Sequence, residues 1–475
     1  MSETGISSET IQRLKSAVGS AGCVDSAAEM AAYLRDERRL FQGRSPLVLK
    51  PASIDEVSRL VAICAGAGIG IVPQGGNTSL CGGSVPDESG TQILISLSRM
   101  NRIRDIDPVN YTLTAEAGCV LANIQAAARE ADRLFPLSLA AEGSCQIGGN
   151  LSTNAGGIAV LKYGNARDLV LGLEVVLADG EVWNGLRRLR KDNTGYDLKQ
   201  MFLGAEGTLG IITAAVLKLF PVPKETCTAV IALRDTESAT TLLARLREES
   251  GDAVSSFEYI HRNCLDLVFR HMEGIGDPFD HRYVHYALVE LSASRKGAAL
   301  DGVLEAVFSA GMETGELLDA VVASSESQRL QLWGLREAIP EAQKHAGVCI
   351  KHDVSVSVSR VPEFLENGTR LLVEAFPEAQ VIAFGHVGDG NIHFNLQQPE
   401  GDDPQAFLRQ APRVTRLVHD LAVSLDGSFS AEHGIGVLKR EDLHGYKSDT
   451  EIALMRSLKR ALDPHGIMNP GKVIY

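Results

Sequence analysis

The first 260 residues contain no histidine; all 12 lie at or beyond His261. Imidazole acid–base or metal chemistry is thereby left to the second half of the chain. No C-x-x-C pair occurs among the 8 cysteines, which are scattered at 23, 64, 81, 119, 145, 227, 264 and 349. That is the usage of a reducing compartment, where cysteine acts as a small buried hydrophobe. No run reaches the ~18 apolar residues that span a bilayer. The longest candidate, Leu60 to Pro73, is broken by three glycines. The opening MSETGISSETIQRLKSAVG has no basic region followed by an apolar core, so it does not read as a signal peptide. A cytoplasmic protein without a transmembrane segment is expected. Positive charge is also scarce: 46 Lys and Arg stand against 60 Asp and Glu, a net charge of -14. A phosphate-tracking surface needs the opposite balance, so nucleic acid is not an expected partner. An anionic substrate would need locally concentrated Arg and Lys.

At 475 residues the chain exceeds what one core usually organises, which points to two domains. Ser53 with Glu56 forms a capping box, and Val57, Leu60, Val61 and Cys64 follow at helical spacing. Ile69–Val72 reads as a strand, 123–132 as a helix, and 169–177 as a strand running into a turn. Near Pro221 to Lys224 the character changes. Strands at 229–233, 255–259 and 283–291 alternate with helices at 238–249 and 298–310, suggesting a second α+β domain with an antiparallel sheet. Helix 451 onwards leads into Asp-Pro-His-Gly-Ile-Met-Asn-Pro-Gly-Lys.

Glycine concentrates in three tracts of the first half. The segment Val72-Pro-Gln-Gly-Gly-Asn-Thr-Ser-Leu-Cys-Gly-Gly-Ser-Val-Pro86 carries glycines at 75, 76, 82 and 83, which let backbone N–H groups converge on an anion such as a pyrophosphate. Asn77, Thr78, Ser79 and Ser84 add short donors. A flexible surface loop is the plainer alternative, but prolines bracket this one and a buried strand feeds it. Helix and strand precede the loop and no helix opens inside it, unlike a Rossmann or Walker loop, which demotes NAD and ATP. The second tract runs from Pro136 to Gly157. The third comprises Thr194-Gly-Tyr-Asp-Leu and Phe202-Leu-Gly-Ala-Glu-Gly-Thr-Leu-Gly-Ile-Ile-Thr213.

These three ordered tracts resemble the FAD domain of the vanillyl-alcohol oxidase superfamily, the PCMH-type FAD domain, over roughly residues 45–220. The resemblance implies that the first loop cradles the pyrophosphate through Pro73, Gln74, Gly75, Gly76, Asn77, Thr78, Ser79, Gly83 and Ser84. The second is implied to line the isoalloxazine and phosphates through Pro136, Ser138, Leu139, Gly143, Ser144, Ile147, Gly148, Gly149, Asn150, Thr153, Asn154, Gly156 and Gly157. Gly207, Ile212 and Asn469 complete the implied set. Many members attach flavin covalently through a His in the first loop; this chain has Asn77 there. Cys145 is the one remaining attachment point, and its spacing to Gly148-Gly149 does not fit the doubly linked members. Non-covalent FAD is expected.

The second half carries Phe384-Gly-His386-Val-Gly-Asp-Gly-Asn-Ile-His393-Phe-Asn395 and Ser430-Ala-Glu432-His433-Gly434. Strand, Gly-Asp-Gly turn and returning strand bring His386 and His393 together, with Asn391, His393 and Asn395 on one face. Two imidazoles with a carboxylate make a common catalytic metal site, although a lone His would more simply be a satisfied core residue. These motifs, through Asn469-Pro-Gly-Lys, resemble the D-2-hydroxy-acid dehydrogenase branch, which includes D-2-hydroxyglutarate and D-lactate dehydrogenases. The likeness implies His386, His393 and Glu432 as metal ligands and His433 as the base. It implies Asn395, Arg336 and Lys351 as substrate contacts, with Lys351 on the polar face of a strand alongside Cys349, Asp353, Ser355 and Ser357. Zn²⁺ is the first choice of metal, with Mn²⁺ or Fe²⁺ also accepted by such ligands. Pro340 stands where the D-2-hydroxyglutarate enzymes carry a substrate-contacting Thr.

The expected fold is α+β: a PCMH-type FAD domain of two α+β subdomains over 1–222, and a cap over 223–430 with a large antiparallel sheet flanked by helices. A helical segment, 431–475, then returns to the FAD domain. The expected activity is FAD- and metal-dependent oxidation of a small anionic D-2-hydroxy acid, best D-2-hydroxyglutarate, alternatively D-lactate. A flavin-binding subunit without chemistry, or a metal hydrolase with a vestigial flavin loop, are the rival classes. An electron-transfer flavoprotein or quinone would reoxidise the flavin, and a homodimer is expected.

Overall fold

The computed structural model describes residues 5–474, so residues 1–4 and 475, the ends of the expected domains, lie outside it. The chain forms two compact units. The first comprises residues 5–156, 165–222 and 432–474, the second 157–164 and 223–431.

The first unit opens on a four-stranded sheet ordered Cys23–Val24, Val48–Leu49, Ile93–Ser96, Ile71–Gln74. Its last three strands are parallel. The helix Ile54–Ala67 supplies the crossover and buries Val57, Leu60, Val61 and Cys64, the positions its periodicity marks. Ser53 Oγ accepts the Glu56 N–H at 3.3 Å, while Glu56 Oε2 reaches one residue further back than a capping box would, to the Ala52 N–H at 2.8 Å. Gly68, in the left-handed region at φ 64°, ends the helix. The strand Ile71–Gln74 then delivers Pro73 and Gln74 into the first glycine tract. A second, antiparallel sheet runs Ile103–Asp107, Thr112–Glu116, Ile211–Lys218, Val170–Val176, Val182–Gly185. The tail closes on the first sheet: the Ile71 N–H donates to Ile467 O at 2.7 Å and the Asn469 N–H to Ile71 O at 2.8 Å.

The second unit is an eight-stranded antiparallel sheet. Its order is Leu317–Val322, Glu225–Leu233, His285–Ala293, Val254–His261, Gln380–His386, Asn391–Gln397, Cys349–Ile350, with Asp353–Ser355 also paired to Asn391–Gln397. Alternation along each strand feeds a core on either face. On one side Phe257, Val289 and Phe394 meet Leu242, Leu304, Phe364 and Val418 from four helices. On the other, Ile260, Leu288 and Phe384 meet Leu265, Val268, Trp333 and Ile339. The expected strand through Lys351 is broken there: the His352 N–H goes to the Asn395 side chain at 3.0 Å, separating Cys349–Ile350 from Asp353–Ser355.

The eight residues 157–164 join this unit although their neighbours in sequence belong to the first. Leu161 seats against Gly388, whose absent Cβ would lie 2.7 Å from Leu161 Cδ2. Lys162 Nζ donates to Ser292 Oγ at 3.0 Å, to Ser292 O, and to Ala253 O at 3.5 Å.

Phe364 is fully buried and its ring meets Phe394 edge-on at 5.2 Å. Phe364→Ala should destabilise the second unit by about 3–5 kcal/mol, the usual cost of so large a cavity, seen as a lower urea midpoint by circular dichroism.

Candidate functional site

In the first unit the glycine tracts meet backbone to backbone. A Cβ on Gly76 would lie 2.2 Å from Ser144 O, and one on Gly75 would be 3.5 Å from Gly149 Cα. At Gly76 the opposing main chain occupies the space of a side chain, and at Gly75 it closes to van der Waals distance. Gln74 Nε2, buried, donates to Tyr33 O at 2.9 Å and Ser84 O at 2.8 Å, fixing where the first tract begins and ends. Asn77 sits at φ 56°; its Nδ2 donates to Ala32 O and Arg35 O, and its Oδ1 accepts from Ser84 Oγ. Within the second tract the short helix Ile147–Ser152 is pressed onto Ala117 at Gly148, and Asn154 Oδ1 caps the Arg167 N–H. Ser138 Oγ and the Leu139 N–H are both taken by Glu142, and Thr153 Oγ1 by Gly149 O. Gly207, at φ 71°, lies against Pro73, and Ile212 is buried in the adjoining strand. Asn469 Nδ2 donates to Gly83 O and Glu206 O, which brings the tail to the same place.

Three buried side-chain acceptors in these segments, Gln146 Oε1, Asn150 Oδ1 and Asn469 Oδ1, have no hydrogen-bond partner among the described residues. Such atoms are costly unless a ligand or water satisfies them. A cradle with bare backbone at its floor and orphaned acceptors around it fits a large cofactor that brings its own donors. A cavity of about 370 Å³ adjoins it, lined by Ala32, Arg35, Asp36, Glu37, Arg39, Gly76 and Asn77. The arginines there went unnoticed in the sequence; the charge run Arg35-Asp-Glu-Arg-Arg39 was the available signal. Cys145 is buried at the Gly76 contact, and burial pushes its thiol above the usual range.

In the second unit the hairpin forms as its alternation requires. Phe384 pairs with His393, and the His386 and His393 rings lie 5.7 Å apart, edge to face. The residue that organises them is Glu258, from the neighbouring strand, whose register sets it opposite His386. Glu258 is fully buried. Its Oε1 meets His386 Nδ1 at 2.5 Å and its Oε2 accepts from Arg336 Nε at 2.7 Å. Burial alone would raise this carboxyl, but the His386 and Arg336 charges hold it well below the usual carboxylate range. Arg336 is itself buried, with its guanidinium 4.6 Å over the Phe384 ring.

Asp353, also buried, faces His393 with Oδ1 3.9 Å from Nδ1, and that oxygen accepts from Asn391 Nδ2 at 2.9 Å. At the turn, burial pushes Asp389 up to about 6, against the pull of His386 and the Asn391 N–H. The second unit thus brings His386, His393 and Arg336 to one face. Asn395 lies on that face too, held by the His352 N–H and by Gln343 Oε1 at 3.4 Å. Lys351 lies half-buried at the strand break, and Pro340 opens the helix Ile339–His345, where a missing N–H costs nothing. The Ala431 N–H donates to Asp353 O at 3.2 Å, and Glu432 and His433 follow directly in the chain. Glu258 and Asp353 were not singled out from sequence. A single carboxylate inside the strand Val-Ser-Ser-Phe-Glu-Tyr-Ile-His was the signal for the first.

Residues 222–473 match the family described as FAD linked oxidases, C-terminal domain, and residues 45–185 match the FAD binding domain family. Among solved structures, alkyldihydroxyacetonephosphate synthase superposes with a TM-score of 0.76 at 20% identity, covering 98% of this chain and 85% of that one. p-Cresol methylhydroxylase does so with 0.76 at 16%, covering 99% and 98%. These likenesses establish the fold. The chain belongs to the FAD-linked oxidases, with a PCMH-type FAD-binding fold. Within them its relatives include the probable mitochondrial D-2-hydroxyglutarate dehydrogenase of Oryza sativa subsp. indica, 39% identical over 99% of this chain and 82% of that one. The D-2-hydroxyglutarate dehydrogenase of Xanthomonas citri pv. viticola is 38% identical over 94% and 93%. The protein is a flavin-dependent oxidoreductase. Among the described residues no helix is long and apolar enough to cross a membrane.

Gly76→Ala forces Ser144 to move, so the variant should purify with little or no FAD, read as loss of the visible flavin absorbance against a wild-type sample.

Proposed function

We propose that this enzyme oxidises D-2-hydroxyglutarate to 2-oxoglutarate in a flavin-dependent, metal-assisted reaction. The observation that carries the reading is the Glu258 carboxylate shared between His386 Nδ1 and Arg336 Nε on the face that also holds His393. A carboxylate on one imidazole nitrogen fixes the tautomer and directs the other nitrogen to a metal. The donor chemistry fits a divalent cation: two imidazoles accompanied by the buried carboxylates Glu258 and Asp353, with Glu432 one residue beyond Ala431. Zn²⁺ is the metal such a set favours, with Mn²⁺ or Fe²⁺ as the alternatives.

The reaction removes a proton from the substrate hydroxyl and a hydride from C2, leaving the 2-oxo acid. When bound, FAD supplies the hydride acceptor and the cation lowers the hydroxyl pKa. Arg336, its Nε committed to Glu258, offers the rest of its fork to a substrate carboxylate, and Lys351 and Asn395 complete the clamp that orients C2. His433 takes the hydroxyl proton on an imidazole nitrogen. The buried, unreactive Cys145 and the absence of any His from the first tract support non-covalent flavin. A protein electron carrier of the electron-transfer flavoprotein type, or a quinone, would take the two electrons from reduced flavin. None of the eight cysteines forms a disulfide, which suits a reducing compartment such as the cytoplasm; the proposed assembly is a homodimer.

Pro340 favours a second reading of the substrate, D-lactate, because it presents no hydroxyl to a distal carboxylate. Anaerobic flavin reduction by D-2-hydroxyglutarate and by D-lactate separates the two. Clear preference for D-lactate overturns the dicarboxylate assignment.

Glu258→Gln should lower metal affinity roughly 10–100-fold by releasing His386 from its partner, measured by metal analysis after graded chelation. Unchanged retention would remove the metal from this imidazole. His433→Ala should keep flavin and metal yet slow flavin reduction roughly 10²–10⁴-fold in stopped flow, whereas loss of its metal would make His433 a ligand instead.

A further inference from the structure

The stretch that follows Glu432 and His433 is held, within the first unit, by a carboxylate that the proposed reaction does not use. Glu206 is buried; its Oε1 accepts the Ile435 N–H at 2.7 Å and its Oε2 the Gly436 N–H at 2.8 Å. Its own carbonyl accepts Asn469 Nδ2 at 2.8 Å. From another side, Cys81 O accepts the Val437 N–H at 2.8 Å and the Leu438 N–H at 3.2 Å, and Gly436 O accepts the Val473 N–H at 2.9 Å. Gly434 and Gly436 both take left-handed backbone, at φ 76° and 52°. A Cβ on Gly434 would lie 2.8 Å from Glu206 Oε1, and one on Gly436 would lie 2.2 Å from Cys81 O. The backbone past His433 therefore has contacts on two sides, with no room for a side chain at Gly434 or Gly436.

The chemistry of the contact calls for a carboxylate. Two N–H donors converge on one side chain, and two acceptor oxygens are required. An amide offers one, and would set its own N–H against the other donor. Burying a carboxylate for a purely architectural contact is expensive: burial raises the Glu206 carboxyl above its ordinary value, and the Ile435 and Gly436 N–H groups and then the buried Lys439 offset only part of that.

We propose that Glu206 is a positioning residue for the Glu432–His433 pair. By fixing residues 435 and 436 it fixes the direction in which the preceding backbone presents the metal-binding carboxylate and the base. This rests on the roles given above to Glu432 and His433. The motif around Glu206, Gly-Ala-Glu-Gly-Thr-Leu-Gly, was read from sequence as part of the flavin fold alone. The geometry assigns its carboxylate to the proton-transfer end of the reaction.

Three variants of the full-length, flavin-loaded enzyme test this: Glu206→Gln, Gly434→Ala and the double. Flavin content, thermal midpoint, bound metal and anaerobic flavin reduction across D-2-hydroxyglutarate concentrations are measured on the same samples. Glu206→Gln should keep its flavin and a near wild-type midpoint, and should lose roughly 10–100-fold in the limiting rate of flavin reduction, the scale of a misplaced catalytic group. Half-saturation should move less than about threefold, because the substrate clamp lies elsewhere. Gly434→Ala disturbs the same contact from the other partner, so the double variant should be no slower than the slower single. A wild-type limiting rate in Glu206→Gln, or losses that multiply in the double, overturns the proposal. Should Glu206→Gln purify without flavin, Gly434→Ala decides by the same readings, and a wild-type rate there overturns it equally. A wild-type enzyme whose flavin no D-2-hydroxy acid reduces would sink the reaction reading itself, which these outcomes do not resemble.

Discussion

A carboxylate with no water around it must find its counter-charge among side chains, and Glu258 finds two. Its pairing with His386 ties the strand Val254–His261 to the strand that begins the histidine hairpin, in the register that sets the two residues opposite each other. Its pairing with Arg336 ties the same strand to the helix Glu326–Glu337, whose guanidinium then covers Phe384. Removing either partner would strand a buried charge, so three elements are held to one arrangement. Well-packed apolar residues could stabilise such a core at least as well. What they could not do is hold an imidazole and a guanidinium at a fixed separation on one face.

The first unit solves the opposite problem. At their glycines the tracts have no side chains to hold them, so geometry there comes from main chain packed on main chain, as at Gly76 and Ser144 or Gly75 and Gly149. Side-chain amides then tie the ends: Gln74 to Ser84 O, Asn77 to Arg35 O, Asn469 to Gly83 O. A surface built this way presents backbone amides and a few buried acceptors, which suits a cofactor recognised along its whole length.

The glycine tracts and the Gly-Asp-Gly hairpin were legible in the sequence because their signals are local. An absent side chain and a period-two alternation are visible without knowing what lies opposite. Glu258 was not legible in its role, because its partner His386 is 128 positions away and only the sheet order brings them together. The break at Lys351 was hidden for the same reason: Asn395, on another strand, takes the N–H that would have continued the ladder. The departure of residues 157–164 from their neighbours had no sequence mark except glycines at either end. The likeness to a known family supplied the proposed ligand positions, but it named neither Glu258 nor Glu206, whose partners are set by packing.

The closing of Ile467 and Asn469 onto Ile71 bears on the order in which the molecule can be made. A chain leaving the ribosome exposes Ile71 long before Ile467 and Asn469, so the first unit stays unfinished until those residues have emerged. The second unit, contiguous from 223 to 431 apart from eight residues already emerged, can be complete before then. The nascent flavin-binding strands must meanwhile be kept from wrong partners, a burden that falls on chaperones rather than on the finished fold. No single cut divides the gene into two self-sufficient halves.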